Sequence, residues 1–203
     1  MKQSLNQSPN YPSQRVGVFI DVVNLYHSAK NIYHGRVNYA ELMKHLVGGR
    51  QLVRAMAYVV KSEGIELQHA ENVKIRPARP TGLRPAAVPG TANLSSEGAF
   101  FEALEKAGLE LRVKDLQIYA DGTKKGDWDV GMAVDAIRQA PFLDVIVLVT
   151  GDGDFLPLVD YLKWGMGRMV EVAAFRRSAS AKIQEAADRF INIEGIPRSL
   201  IKR

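Results

Sequence analysis

The chain switches repeatedly between short apolar runs and stretches with helical spacing. Val16-Gly17-Val18-Phe19-Ile20 is an apolar run of the kind that forms a strand buried on both faces. Apolar residues at three- and four-residue spacing predict helices over 24–33 and 39–47. Residues 52–60 read as a second strand, although alanines and a methionine dilute its β-branched content. Ser95 or Ser96 suits the N-cap of a helix reaching residue 107, and Gly108 suits its C-terminal end. Leu109 to Val113 alternates, which predicts a strand with one wet face. A helix over 128–139 precedes Val145-Ile146-Val147-Leu148-Val149, the strongest buried-strand signal in the chain. Helical spacing over 155–164, a strand over 169–174 and a last helix over 179–187 complete the pattern. Strands alternating with helices predict an α/β domain with a mainly parallel sheet covered on both faces. In such sheets ligands bind outside the carboxyl ends of the strands, so the residues at those ends matter most.

The aperiodic stretches set the expected boundaries. Residues 1–14 are polar and rich in Ser, Asn and Pro, as in a flexible leader, and the folded domain is expected over 15–194. Within it, 68–93 holds Pro77, Pro80, Pro85 and Pro89 and reads as a long Pro/Arg-rich loop insertion. Residues 195–203 read as a short basic tail. The chain has 203 residues, 46% of them hydrophobic, which is enough for a packed core. It has no cysteine, which removes disulfides, thiolate metal sites and cysteine nucleophiles together. No apolar run approaches the ~20 residues of a membrane helix, and no secretory signal opens the sequence, so a cytoplasmic protein is expected. The net charge of +5 is modest, but basic residues gather at Lys74 to Arg84 and from Arg176 to the end, which suggests an anionic partner.

Two of the most apolar strands run into carboxylates. Ile20 is followed by Asp21, with Asn24 three residues on, and Val149-Thr150 is followed by Gly151-Asp152-Gly153-Asp154-Phe155. In a parallel sheet both groups fall on one edge. Carboxylates that close raise one another's pKa unless protons or a cation compensate. A hard cation such as Mg2+ or Mn2+ takes oxygen ligands of this kind. The same residues admit plainer roles, with Asp21 or Asp154 as a helix N-cap and Asn24 as a turn or cap residue. A third acidic group follows the basic Lys124-Lys125 turn. There Asp127 and Asp129 fall at a helix start, where capping and the helix dipole also account for an acid. Asp135 lies in the apolar stretch Met132 to Ile137 and must reach solvent or find a partner.

Four motifs now stand in order: Val18-Phe19-Ile20-Asp21-x-x-Asn24-Leu25-Tyr26; Lys125-Gly126-Asp127-Trp128-Asp129-Val130 with Ala133-x-Asp135-Ala136; Thr150-Gly151-Asp152-Gly153-Asp154-Phe155; and Asp188-Arg189-Phe190-Ile191. Together they resemble the NYN domains, LabA-like branch, of the PIN-like nuclease superfamily. The resemblance implies a three-layer α/β/α PIN-like domain that binds Mg2+ or Mn2+ and, in active members, cuts RNA. It carries the family's metal-site acids onto Asp21, Asp129, Asp152 and Asp154, and its first-motif asparagine onto Asn24. Asp135 matches a recurring family acid. The chain departs from the pattern at Val22-Val23, where a small pair is common, and in the length of the 68–93 stretch.

The expected activity is metal-dependent endonucleolytic hydrolysis of RNA, single-stranded because unstacked bases are there accessible. Phosphodiester hydrolysis needs an activated water and shielding of the leaving oxygen, which one or two metal ions supply. His27, His34, His45 and His69 show no metal spacing and are expected to be structural or surface residues. Lys124, Lys125, Arg176 and Arg177 are candidate phosphate contacts, each pair also explicable as a solvated charged turn. Trp128, Tyr119 and Phe175 are candidate stacking platforms. The partner is thus expected to be RNA, with a homo-oligomer also open. The runner-up is a PIN-like RNA-binding or regulatory domain without turnover. A haloacid-dehalogenase-type phosphatase would want an acid where Val23 stands, no sugar-donor site accompanies Asp152-Gly153-Asp154, and no P-loop is present.

Overall fold

The computed structural model describes residues 10–61, 96–118, 124–125 and 127–202. The loop expected over 68–93 and Tyr119 lie outside the described residues. The sheet is built from β1 (Arg15–Asp21), β3 (Gln51–Lys61), β4 (Glu110–Asp115), β7 (Val145–Val149), β8 (Met169–Ala174) and β9 (Arg189–Asn192). Its strand order is β4-β3-β1-β7-β8-β9, and every pairing in it is parallel. The order runs one way from β1 through β3 to β4 and the other way from β7 to β9. The reversal falls between β1 and β7, and in a doubly wound sheet that is where a crevice opens at the carboxyl edge.

Side chains of a strand alternate between faces, so each central strand feeds two cores. Val16, Val18 and Ile20 of β1, with Val145, Val147 and Val149 of β7, face α1 (Val22–Tyr33), α2 (Tyr39–Val47) and α3 (Ser96–Lys106). Phe19, Ile146, Leu148, Val170 and Val172 face α4 (Asp129–Gln139), α5 (Leu156–Asp160) and α6 (Ala181–Ala186). The result is three layers, α/β/α. Gly17 falls on the second face with Phe19, and Leu143 fills the space that a Cβ there would need. At roughly 25 cal/mol per Å2 of apolar surface removed from water, these two cores supply the main driving force for the fold.

Several elements escape the hydrophobic pattern. β2 (Gly35–Val37) pairs antiparallel with β10 (Leu200–Lys202), and β5 (Gln117–Ile118) pairs antiparallel with β6 (Lys124–Lys125). The segment after Glu194, expected as a solvated basic tail, is instead built into the structure. Ile196 and Ser199 are buried, the Ser199 hydroxyl donates to the Ile193 carbonyl at 2.8 Å, and the Asn38 N–H donates to the Ser199 carbonyl at 2.7 Å. The end of the expected leader is also held, since Asn10 accepts from Arg189 at 2.8 Å and the Gln14 carbonyl accepts from the Gln51 N–H at 3.0 Å. The helix expected over 155–164 is a 3-10 turn at Gly153–Phe155, then α5, then a π-turn at Tyr161–Gly165. Among the described residues no helix is long and apolar enough to cross a membrane.

Candidate active site

Asp21 closes β1 and opens α1. Its Oδ1 accepts from the Asn24 N–H at 3.0 Å, so it is an N-cap, as its position alone allowed. Its Oδ2 is engaged across the crevice, accepting from the Thr150 hydroxyl at 3.2 Å. Thr150 is fully buried, and its oxygen also accepts from the Asp152 N–H at 3.2 Å. One hydroxyl therefore ties the ends of β1 and β7 together. Asn24 makes a second tie, its Oδ1 accepting from the Gly151 N–H at 3.1 Å. This is neither a turn nor a cap contact. Thr150 was absent from the expected site, and its signal was only a hydroxyl between an apolar strand and the Gly-Asp turn.

The Gly151-Asp152-Gly153-Asp154 turn differs from expectation in one detail. Asp152, not Asp154, caps the following 3-10 turn, its Oδ1 accepting from the Asp154 N–H at 2.9 Å, and Asp154 itself is exposed. The glycine at 151 is forced by close approach, because a Cβ there would lie 3.0 Å from the Ala179 Cα.

Asp129 is the first residue of α4, and the residue in the N-cap position, Trp128, makes no side-chain cap. Burial pushes the Asp129 carboxyl above its ordinary range, and repulsion from Asp21, Asp152, Asp127 and Asp154 pushes it further. Asp21 is also raised, first by burial and to a lesser degree by Asp152, against the opposing hydrogen bonds from Asn24 and Thr150. Acids from three separate segments thus act on one another at the carboxyl edge. All are oxygen donors suited to a hard cation. They do not form a ready cage, since among the described residues no group of three His, Asp or Glu side chains is placed to hold a metal ion.

The remaining candidates divide. Trp128 is half-buried and built into the scaffold. Its indole N–H donates to the Val59 carbonyl at 2.9 Å, its ring lies 5.5 Å from that of Tyr58, and Lys114 stands 5.7 Å over it. A Cβ on Gly131 would lie 2.6 Å from the indole, so α4 sits directly on it. Phe175 is buried against Tyr33, at 4.7 Å between ring centres, and packs in the core. Asp135 has found partners, accepting from the Tyr58 hydroxyl at 3.1 Å and from Arg112 Nε at 3.3 Å. Tyr58 is the register neighbour of Asp21, so Asp135 braces the site from behind. Arg176 and Arg177 are exposed just beyond the carboxyl end of β8, and Lys124 and Lys125 form β6.

A solved structure of a protein of unknown function from Vibrio parahaemolyticus superposes with a TM-score of 0.72 at 25% identity, covering 96% of this chain and 100% of that one. No curated protein matches the chain. The NYN domain model matches residues 15–194, which takes in both strand ends, the start of α4 and the closing Asp188-Arg189-Phe190-Ile191 segment. Over that length, the sequence and the crevice between β1 and β7 answer to one description, and the chain belongs to the NYN domain family, nuclease-like and of the PIN-like superfamily.

Proposed function

We propose that the protein is a Mg2+- or Mn2+-dependent endoribonuclease acting on single-stranded RNA, a member of the LabA-like branch. The observation that carries this reading is the convergence of Asp21, Asp129 and Asp152 at the switch point of the sheet, where burial and neighbouring acids raise both Asp21 and Asp129. Evolution tolerates desolvated, like-charged acids where a function uses them, and structural sites avoid them. The donor set is all oxygen, which suits a hard divalent cation, with water and phosphate oxygens completing the coordination. Asp21, Asp129 and Asp152 would hold the ion, with the exposed Asp154 at the outer rim. When bound, it would supply an activated water and shield the charge on the leaving oxygen. Asn24, whose Oδ1 is committed to Gly151, keeps its amide N–H groups to orient a phosphate oxygen. Arg177, with Lys124 and Lys125, would hold the flanking phosphates.

The test is incubation of labelled single-stranded RNA with Mn2+ or Mg2+, beside Asp152→Asn and an EDTA control. Cleavage that needs metal and falls at least about a hundredfold in the variant is expected. Cleavage that survives both controls would sink the proposal. One observation favours a second reading, an RNA-binding domain without turnover: the acids are not gathered as a set of three. That reading expects RNA binding that Asp152→Asn and EDTA leave unchanged.

A further inference from the structure

Where β8 ends, between α6 and β9, Arg176, Ala181, Gln184, Glu185 and Phe190 line a cavity of about 320 Å3. That is the lower end of the size range of small-ligand sites. Its walls combine a cation, an aromatic ring and hydrogen-bond acceptors. The Arg176 guanidinium stands 5.5 Å from the centre of the Phe190 ring. It pairs with no carboxylate among the described residues. Gln184 Nε2 donates to the carbonyls of Ala179 at 3.0 Å and Arg176 at 3.3 Å, which turns its Oε1 toward other donors. Glu185 is exposed and enters no ion pair among the described residues.

The segment carrying Arg176 lies on the acid turn itself. The Ser180 N–H donates to the Gly151 carbonyl at 2.9 Å, and a Cβ on Gly153 would lie 3.0 Å from the Ser180 Oγ. An RNA strand whose phosphate sat at Asp152 would therefore run close to the segment that carries the cavity's Arg176 and Ala181.

We propose that the cavity is a base-reading subsite that takes a guanine flanking the scissile phosphate, an inference that rests on the ribonuclease reading above. Bases splayed from a single strand are recognised by stacking on aromatic and guanidinium planes and by hydrogen bonds to their Watson–Crick edges. Guanine presents two adjacent N–H donors, N1–H and N2–H, which match the two oxygens of one carboxylate such as Glu185. Its neighbouring O6 accepts from a guanidinium such as Arg176, the side-chain chemistry that most often specifies guanine. Adenine and cytosine set a ring-nitrogen lone pair beside their amino group, and uracil sets a carbonyl on each side of its N–H. Each would turn an acceptor toward one oxygen of Glu185. Phe190 supplies the apolar surface for the ring.

The experiment is calorimetric titration of the full chain, in EDTA so that nothing is cut, with guanosine, adenosine, cytidine and uridine 5′-monophosphates. Guanosine monophosphate should bind about tenfold or more tightly than the other three. Glu185→Gln should erase that preference, because one carboxylate oxygen becomes an N–H2 donor facing a donor. Equal binding of the four, preference for another base, no binding at millimolar ligand, or a preference that survives Glu185→Gln would each overturn the subsite. Metal-dependent cleavage of two single-stranded RNAs, one containing guanine and one lacking it, is measured in parallel. If both are cut alike and guanosine monophosphate shows no preference, the subsite alone fails. If the nucleotide preference appears and neither RNA is cut, the nuclease reading fails and only guanine binding stands.

Discussion

Glu171 and Asp129 are both acids drawn out of water, and their surroundings treat them in opposite ways. Glu171 lies in the middle of β8 and is almost fully buried, yet its charge is matched. Arg50 donates to both of its oxygens, at 3.0 and 2.9 Å, and Arg189, its register neighbour on β9, stands 3.4 Å from one of them. Arg50 in turn gives two further donors to the carbonyls of Leu46 and Val47. Asp129 is only half-buried, and what surrounds it is other acids. The same element of physics, a carboxylate leaving water, is thus neutralised in one place and left uncompensated in the other. The first arrangement makes structure, and the second stores a demand for positive charge that a cation can meet.

The largest effect should come from breaking the matched site. Glu171→Gln leaves the buried Arg50 without its counter-charge, and a loss of about 3–5 kcal/mol in urea unfolding is expected. A loss below about 1 kcal/mol would show that Arg50 is solvated after all and dissolve the contrast.

The unmatched site should respond with the opposite sign. Folding raises the Asp129 carboxyl, so the folded chain holds that proton more tightly than the unfolded one. The contribution of the protonated acid is complete below the unfolded value and is lost as pH rises through the folded value, leaving a net cost at neutral pH. Asp129→Asn should therefore stabilise the metal-free protein at pH 7, by less than about 1 kcal/mol because solvent screens a half-exposed carboxylate, and the gain should fade as pH falls through the carboxylate range. Thermal unfolding of both proteins across pH 3–8 measures this. A variant less stable than the parent at neutral pH would mean that Asp129 serves the fold rather than the site.

The smallest effect belongs to an exposed pair that sharpens the same contrast at the surface. Arg15 donates its backbone N–H to Asp144 Oδ2 at 2.8 Å, and its guanidinium forks onto both carboxylate oxygens. These bonds hold the Asp144 carboxyl down at about 2. Here the stabilisation is present above the ordinary carboxylate value and is lost as pH falls toward about 2. Acid titration followed by NMR of the Asp144 carboxyl should find a midpoint well below that of an unpaired aspartate, and raised salt should bring it up toward the ordinary value.

Periodicity alone outlined the main parallel sheet, because strands buried on both faces and helices with one apolar stripe each write a distinct pattern. Val16 to Ile20, Tyr39 to Val47 and Val145 to Val149 are each found as expected, to within a residue or two. A parallel sheet sends the ends of its strands to one edge, which pointed to Asp21 and Asp152, and the family resemblance added Asp129 to the set. The pattern was silent about β2, β9 and β10, which are three or four residues long and too short to carry a period.

What the tertiary structure decided is who touches whom. Trp128, a candidate platform for RNA, proved to be the seat of α4 because the Val59 carbonyl and Gly131 close around it. Asp135 acquired Tyr58 and Arg112, and Thr150 acquired both strand ends. Apart from the Thr150–Asp152 bond and the contact of Gly131 with Trp128, these contacts join residues far apart in the chain. The sequence by itself determined the architecture, which follows from local composition and strand direction, and the family resemblance of its motifs singled out the candidate acids. The division of charge between a matched core and an unmatched crevice depends on distances across 120 residues, between Arg50 and Glu171, and only packing sets those.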